Sequence, residues 1–330
     1  MGQVKWGILG TSIASRMFAE ALNHSDQAKV IAVAANDLQE GEQFSTSFQF
    51  DTVYQTYEEI LHNSNIDVVF IGTPLSDHEE QIEQCFLANK HVVCNGPISF
   101  DADRIKKLLE LSKRQALFLI ESTGTMCSPV TQQVREWIQM DRIGTIEYME
   151  ITLNFDCLDR NIDSQMRGKR EELCYLWLYS LSYVNALIEQ YPLMVHNLEG
   201  ILERKDEDKS TVILRYKNDV IITINWARDN KLDTRAVCVG TNGRIEIPNF
   251  HQGERACLYD EEDELLELYE NKIQVSGYEY EVERVCRFLN DKDEMEYSFH
   301  VNDLLGRVRI LEFLKNNGYN CIGGLLNAKK

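Results

Sequence analysis

The first third of the chain alternates short, nearly unbroken apolar runs with stretches of helical spacing. Residues 4–9, 30–35, 67–72, 90–94 and 117–121 are apolar runs of strand length. Between them, residues 14–23 repeat Ala14, Met17, Phe18, Ala21 and Leu22 at helical intervals. Segments 40–48, 57–62, 78–88 and 101–115 predict further helices. This strand–helix rhythm predicts a doubly wound parallel sheet of the α/β class. Runs that are apolar throughout agree, because helices cover both faces of such a sheet.

The rhythm changes near residue 122. A helix is expected over 130–140, ended near Gly144, then an alternating strand over 145–155. Residues 173–191 form a long apolar helical pattern. Strands are expected at 200–204, 210–216, 220–225, 233–240, 243–247 and 255–259, with 217–219 as a hairpin turn. The acidic run 260–264 is expected as an exposed turn, and helices over 278–290 and 302–316 close the chain. Two domains are therefore expected, 1–122 and an α+β domain over 123–330.

Composition narrows the function classes. The chain has 330 residues, 44% hydrophobic and 26% charged, which fits globular domains and excludes a disordered or collagenous chain. With 34 Lys+Arg against 53 Asp+Glu, the formal net charge is −19, which argues against nucleic acid or an anionic membrane as partner. No apolar run reaches membrane-spanning length, and the start reads as a strand rather than a leader. Nine cysteines without a Cys-x-x-Cys pair fit reduced thiols, so a cytoplasmic location is expected. The histidines lack metal-ligand spacing, so no metal is expected.

Candidate chemistry starts at residues 7–14, Gly-Ile-Leu-Gly-Thr-Ser-Ile-Ala, where the first strand meets the first helix. Such a turn holds a phosphate on backbone N–H groups at a helix N-terminus. Gly10 takes the first glycine position of a dinucleotide fingerprint, while Ser12 stands at the second. By itself the motif is equally an ordinary tight turn. Three more stretches add to it: Asp67-Val-Val-Phe-Ile-Gly-Thr-Pro74 followed by His78; Lys90-His-Val-Val-Cys-Asn-Gly-Pro97; and Gly240-Thr-Asn-Gly-Arg-Ile-Glu-Ile-Pro248. Together they resemble the Gfo/Idh/MocA family of NAD(P)-dependent oxidoreductases, its dihydrodiol dehydrogenase-like branch in particular, from residue 4 to about 315.

The resemblance implies a Rossmann domain followed by a domain with a large open, mostly antiparallel sheet that joins subunits into a homodimer or higher oligomer. It implies a cofactor site of Gly10, Thr11, Ser12, Ile13, Asn36, Thr73, Pro74, His78, Asn95, Gly96 and Pro97. His78 is either a contact on the nicotinamide side or a hydrated residue at a helix start. Relatives often carry Ser-Arg after the second strand, where Arg pairs with the 2′-phosphate of NADP. Here Ala35-Asn36-Asp37 offers a ribose hydroxyl partner and no cation, so NAD(H) is expected over NADP(H).

The sequence departs from the family where chemistry is expected. The Glu-Lys-Pro lysine, which would assist proton transfer, is Gly96. The acid of the long helix aligns with Tyr175, four residues before Tyr179, and both join Tyr183 in a phenol stripe. The stripe is either core packing or a source of the catalytic proton. Arg and His before Pro129 become Met126 and Ser128. Two functions follow: hydride transfer on a small sugar- or diol-like substrate using a substitute proton group, or a non-catalytic nucleotide- or metabolite-binding protein on the same fold.

Overall fold

The amino-terminal strands and helices alternate as β1 (Val4–Leu9), α1 (Ile13–His24), β2 (Ala28–Ala34), α2 (Leu38–Phe48), β3 (Thr52–Tyr54), α3 (Tyr57–Leu61), β4 (Val68–Ile71), α4 (Leu75–Leu87), β5 (His91–Asn95), α5 (Ala102–Arg114) and β6 (Leu119–Ser122). In this computed structural model, residues 2–154, 170–188, 192–197, 209–227, 232–291, 294–316 and 322–323 are described. The six strands are parallel in the order β3-β2-β1-β4-β5-β6, the order of a dinucleotide-binding Rossmann sheet. All four residues of β4 are buried, as continuous apolar patterning requires. Polar residues stop the helices from running back into the strands: Ser12, Asp37, Thr56 and Asp101 each accept a backbone N–H as N-caps.

The rest of the chain adds α6 (Pro129–Gln139), β7 (Ile146–Asn154), α7 (Arg170–Ile188), β8 (Met194–Asn197), β9 (Lys209–Arg215), β10 (Ile221–Ala227), β11 (Arg235–Gly240), β12 (Gly243–Pro248), β13 (Arg255–Tyr259), β14 (Leu265–Glu270), α8 (Tyr278–Asp291), α9 (Glu294–Asn316) and β15 (Ile322–Gly323). Among the described residues these strands form a second sheet of order β14-β13-β12-β11-β7-β10-β9-β8-β15. It is antiparallel except for the β7–β10 pair. One face buries Met149, Ile151, Leu153, Ile222, Ile224, Trp226, Ala236 and Cys238. The alternate residues are mixed, with Ile213, Ile221, Val237 and Val239 among polar side chains, some of them bonded, as in Tyr148–Thr223 at 2.6 Å and Thr211–Asn225 at 2.9 Å.

The chain divides into two compact units, 1–124 with 274–309, and 125–273 with 310–330. Residues 274–309 thus return to the first unit, which a single boundary near 122 does not anticipate. Tyr278, Val282, Val285 and Cys286 of α8 join the core of Trp6, Phe18 and Phe70. Leu304 and Val308 of α9 join the core on the other side of the sheet, with Leu9, Ile71 and Phe86. The expected strand at 200–204 lies outside the described residues. Four strands absent from the sequence reading, β3, β8, β14 and β15, extend the sheets among the described residues.

Candidate functional site

The carboxyl end of β1 turns at Gly10 with φ +85°, a left-handed conformation that favours glycine. A Cβ added there would sit 3.1 Å from the Gly72 carbonyl oxygen. At Gly72 the added Cβ would lie 2.1 Å from Ser15 Oγ. The two glycines therefore let β1, β4 and the start of α1 close together. Ser12 caps α1, its Oγ accepting from Ser15 N at 3.2 Å. So the residue in the place of the second fingerprint glycine terminates the helix instead of leaving it open. Exposed Ile13 opens the helix, and the positive end of α1 points out of the turn. The backbone cradle fits the pyrophosphate of a dinucleotide.

Asn36 is exposed just beyond β2. Asp37 is committed to capping α2, accepting from Gln39 N at 2.8 Å and Glu40 N at 3.1 Å. Of the two residues that offered a ribose partner, Asn36 is the one left with an uncommitted role. Thr11 Oγ1 donates to Glu40 Oε2 at 3.1 Å, linking the phosphate turn to the first turn of α2.

After β4, Thr73 Oγ1 donates to Gln81 at 2.5 Å and Pro74 starts α4. His78 is buried, not hydrated at a helix start. Its Nε2 lies 2.8 Å from the Thr73 carbonyl and its Nδ1 3.0 Å from the Pro97 carbonyl. It thus ties together the two loops that hold Thr73-Pro74 and Asn95-Gly96-Pro97. A neutral ring donates to one of these carbonyls; only an imidazolium donates to both. Burial lowers the His78 pKa, and the two carbonyls oppose the shift.

The Asn95–Ser99 loop is pinned residue by residue. The Gly96–Pro97 bond is cis. Gly96 N donates to Ser122 O at 3.0 Å, Ile98 N to Glu121 Oε1 at 2.9 Å, and Ser99 Oγ to Glu79. Glu121 is buried against Arg307 at 3.0 Å, and Arg307 against Asp303 at 2.8 Å. Burial raises the Glu121 pKa, and Arg307 pulls it back. On β6, Ser122 Oγ donates to Glu281 at 2.8 Å and Gly124 N follows at 3.3 Å. Burial pushes the Glu281 carboxyl up to about 7. Sequence reasoning missed Glu281 and Arg307. Charges amid the apolar positions of α8 and α9 were the only available signal. Gly96 brings the loop no side-chain cation or proton donor.

In the second unit, the backbone of Tyr175 belongs to α7, while its side chain lies outside the described residues. Tyr179 is buried on the same helix. Tyr183 is fully buried with its ring 4.7 Å from that of Phe250, and burial pushes its phenol up, so this member of the stripe is core. Ser128 is also committed: its Oγ caps α6 by accepting from Thr131 N at 3.1 Å. Among the described residues no group of three His, Cys, Asp or Glu is placed to hold a metal.

A model of the oxidoreductase family with NAD-binding Rossmann fold matches residues 4–122, and a model of the GFO/IDH/MocA C-terminal domain matches 131–246. The chain belongs to the Gfo/Idh/MocA oxidoreductase family. It is 26% identical over 249 residues to mouse trans-1,2-dihydrobenzene-1,2-diol dehydrogenase, covering 74% of each chain. An oxidoreductase from Agrobacterium radiobacter, solved with NAD+, L-tartaric acid and magnesium, shares the fold with a TM-score of 0.80. It is 14% identical and is covered over 98% of its length and 97% of this chain. A 3-ketoreductase from Actinomadura kijaniata, solved with NADP and TDP-benzene, has a TM-score of 0.77 at 16% identity, covering 94% of this chain and 97% of its own. This Gfo/Idh/MocA chain therefore has the NAD(P)-binding Rossmann fold of an oxidoreductase. No described helix is long and apolar enough to cross a membrane.

Proposed function

We propose that the protein is a nicotinamide-dependent oxidoreductase of small diol- or sugar-like molecules, taking NAD(H) in preference to NADP(H). The glycine cradle at Gly10 and Gly72 carries the reading, because it keeps the close backbone approach that a pyrophosphate needs. Gly10, Thr11, Ser12 and Ile13 would hold the pyrophosphate, Asn36 the adenosine ribose. Thr73, Pro74, His78, Asn95, Gly96 and Pro97 would line the nicotinamide end. The bound dinucleotide supplies a hydride acceptor or donor. The mouse relative is named for a diol substrate, and the vicinal hydroxyls of a diol are the chemistry transferred here as expectation.

With glycine at 96, the proton needs another carrier, and the phenols of Tyr175 and Tyr179 on α7 are the candidates. A tyrosine that moves this proton contributes on the order of a hundredfold or more in rate. The test follows NAD(P)H absorbance with vicinal diols, inositols and aldoses. Turnover in the native protein that falls about a hundredfold in Tyr175→Phe or Tyr179→Phe, with dinucleotide affinity retained, supports the assignment. Dinucleotide binding without turnover on any member of that panel favours the non-catalytic alternative that Gly96 raises. Assembly into a homodimer or higher oligomer through the second sheet belongs to the same proposal. Ultracentrifugation that finds only single chains rejects it.

A further inference from the structure

We propose that Glu40 sets the choice of dinucleotide, excluding the 2′-phosphate of NADP(H) and accepting from the adenosine ribose. This rests on the dinucleotide reading above and deepens it. In a Rossmann unit, the ribose of the adenosine lies between the turn after β1 and the end of β2. Those two segments are neighbours here, with Leu9 paired to Ala34 in parallel strands. Glu40 stands on the first turn of α2 and receives the hydroxyl of Thr11 at 3.1 Å. Its carboxylate therefore reaches from α2 to the phosphate turn, and Asn36, just beyond β2, is exposed.

The surrounding charges sharpen the effect. Asn36 is neutral, and the carboxylate of Asp37 lies on the same edge as the cap of α2. Arg16, on α1, is directed to the next turn of α2, with its guanidinium 5.4 Å from the centre of the Phe44 ring. A 2′-phosphate carries roughly −1.5 to −2 charges at neutral pH. Against one carboxylate at close range in partly hydrated surroundings, that repulsion is worth about tenfold or more in affinity. A ribose hydroxyl brings a donor that the same carboxylate accepts. One side chain thus favours NAD(H) and disfavours NADP(H), without the arginine that a phosphate would need.

The test is calorimetric titration and thermal shift with NADH and NADPH on the native protein, Glu40→Gln and Glu40→Arg. Glu40 is exposed, and circular dichroism melting checks that both variants fold. Native protein is expected to bind NADH at least about tenfold tighter than NADPH. Glu40→Gln is expected to narrow that ratio about tenfold, chiefly through tighter NADPH, and Glu40→Arg to invert it. A ratio unmoved by both variants, or a native preference for NADPH, overturns the role of Glu40 while leaving dinucleotide binding standing. Binding of neither dinucleotide to the native protein overturns both readings together.

Discussion

Glu281→Gln isolates one buried carboxyl and should change how stability depends on pH. Glu281 is 4% exposed, accepts from Ser122 Oγ and Gly124 N, and has its pKa pushed by burial from 4.5 up to about 7. Because the folded value lies above the unfolded one, its contribution to stability is full below about pH 4.5. It is lost as pH rises through about 7. At 1.36 kcal/mol per pKa unit, the contribution amounts to about 3 kcal/mol. The amide of Glu281→Gln cannot ionise, yet its oxygen still accepts from Ser122 and Gly124. The stability of the native protein relative to the variant should therefore fall by about 3 kcal/mol between pH 4.5 and 8. In melting temperature that is on the order of 6–12 °C for a unit of this size. The assay is thermal unfolding of both proteins, followed by tryptophan fluorescence across that pH range. Parallel pH curves for the two proteins would refute the reasoning, since every other titrating group is shared.

Arg307→Met leaves Glu121 and Asp303 buried without their cation and should cost about 3–5 kcal/mol, read as a lowered urea midpoint. Adding Glu121→Gln to Arg307→Met should recover part of that loss, because one of the two stranded charges is gone. Gly72→Ala drives a Cβ to within 2.1 Å of Ser15 Oγ, so stability should fall by about 1–3 kcal/mol and dinucleotide affinity with it. A Gly72→Ala protein that melts and binds like the native one would show that the cradle is slack.

The parallel sheet was legible because β1, β2, β4 and β5 are apolar almost throughout, a pattern few other elements share. β3 escaped because three half-buried residues, Thr52, Val53 and Tyr54, form no pattern. β14 escaped for a different reason: Leu265, Leu266 and Leu268 are exposed on an edge strand, so their spacing has no buried face to report. The helices α8 and α9 were legible as helices but not as members of the first unit, since amphipathic spacing says that a face is buried and not against what. At the site, Gly10 was visible because the strand–turn–helix grammar of the phosphate turn is local. His78 was visible as a residue, though not as a bridge between two loops. Glu281 showed only as a charge amid the apolar positions of α8, because its partner Ser122 is 159 residues away along the chain. Asp37 was read as an alternative to Asn36 for the ribose hydroxyl, whereas the start of α2 claims its carboxylate first.

The return of residues 274–309 to the first unit has a consequence for biosynthesis. When residue 124 has left the ribosome, Phe18 and Phe70 still lack the α8 side chains that cover them, and Glu121 still lacks Arg307. The returning segment begins some 150 residues further on and ends only at residue 309, so this half cannot finish folding until then. A nucleotide-binding fragment cut at residue 124 would expose apolar surface and strand a buried acid, and should aggregate when expressed alone. Joining 274–309 directly behind 124 with a flexible linker is the shortest route to an independent version of this unit.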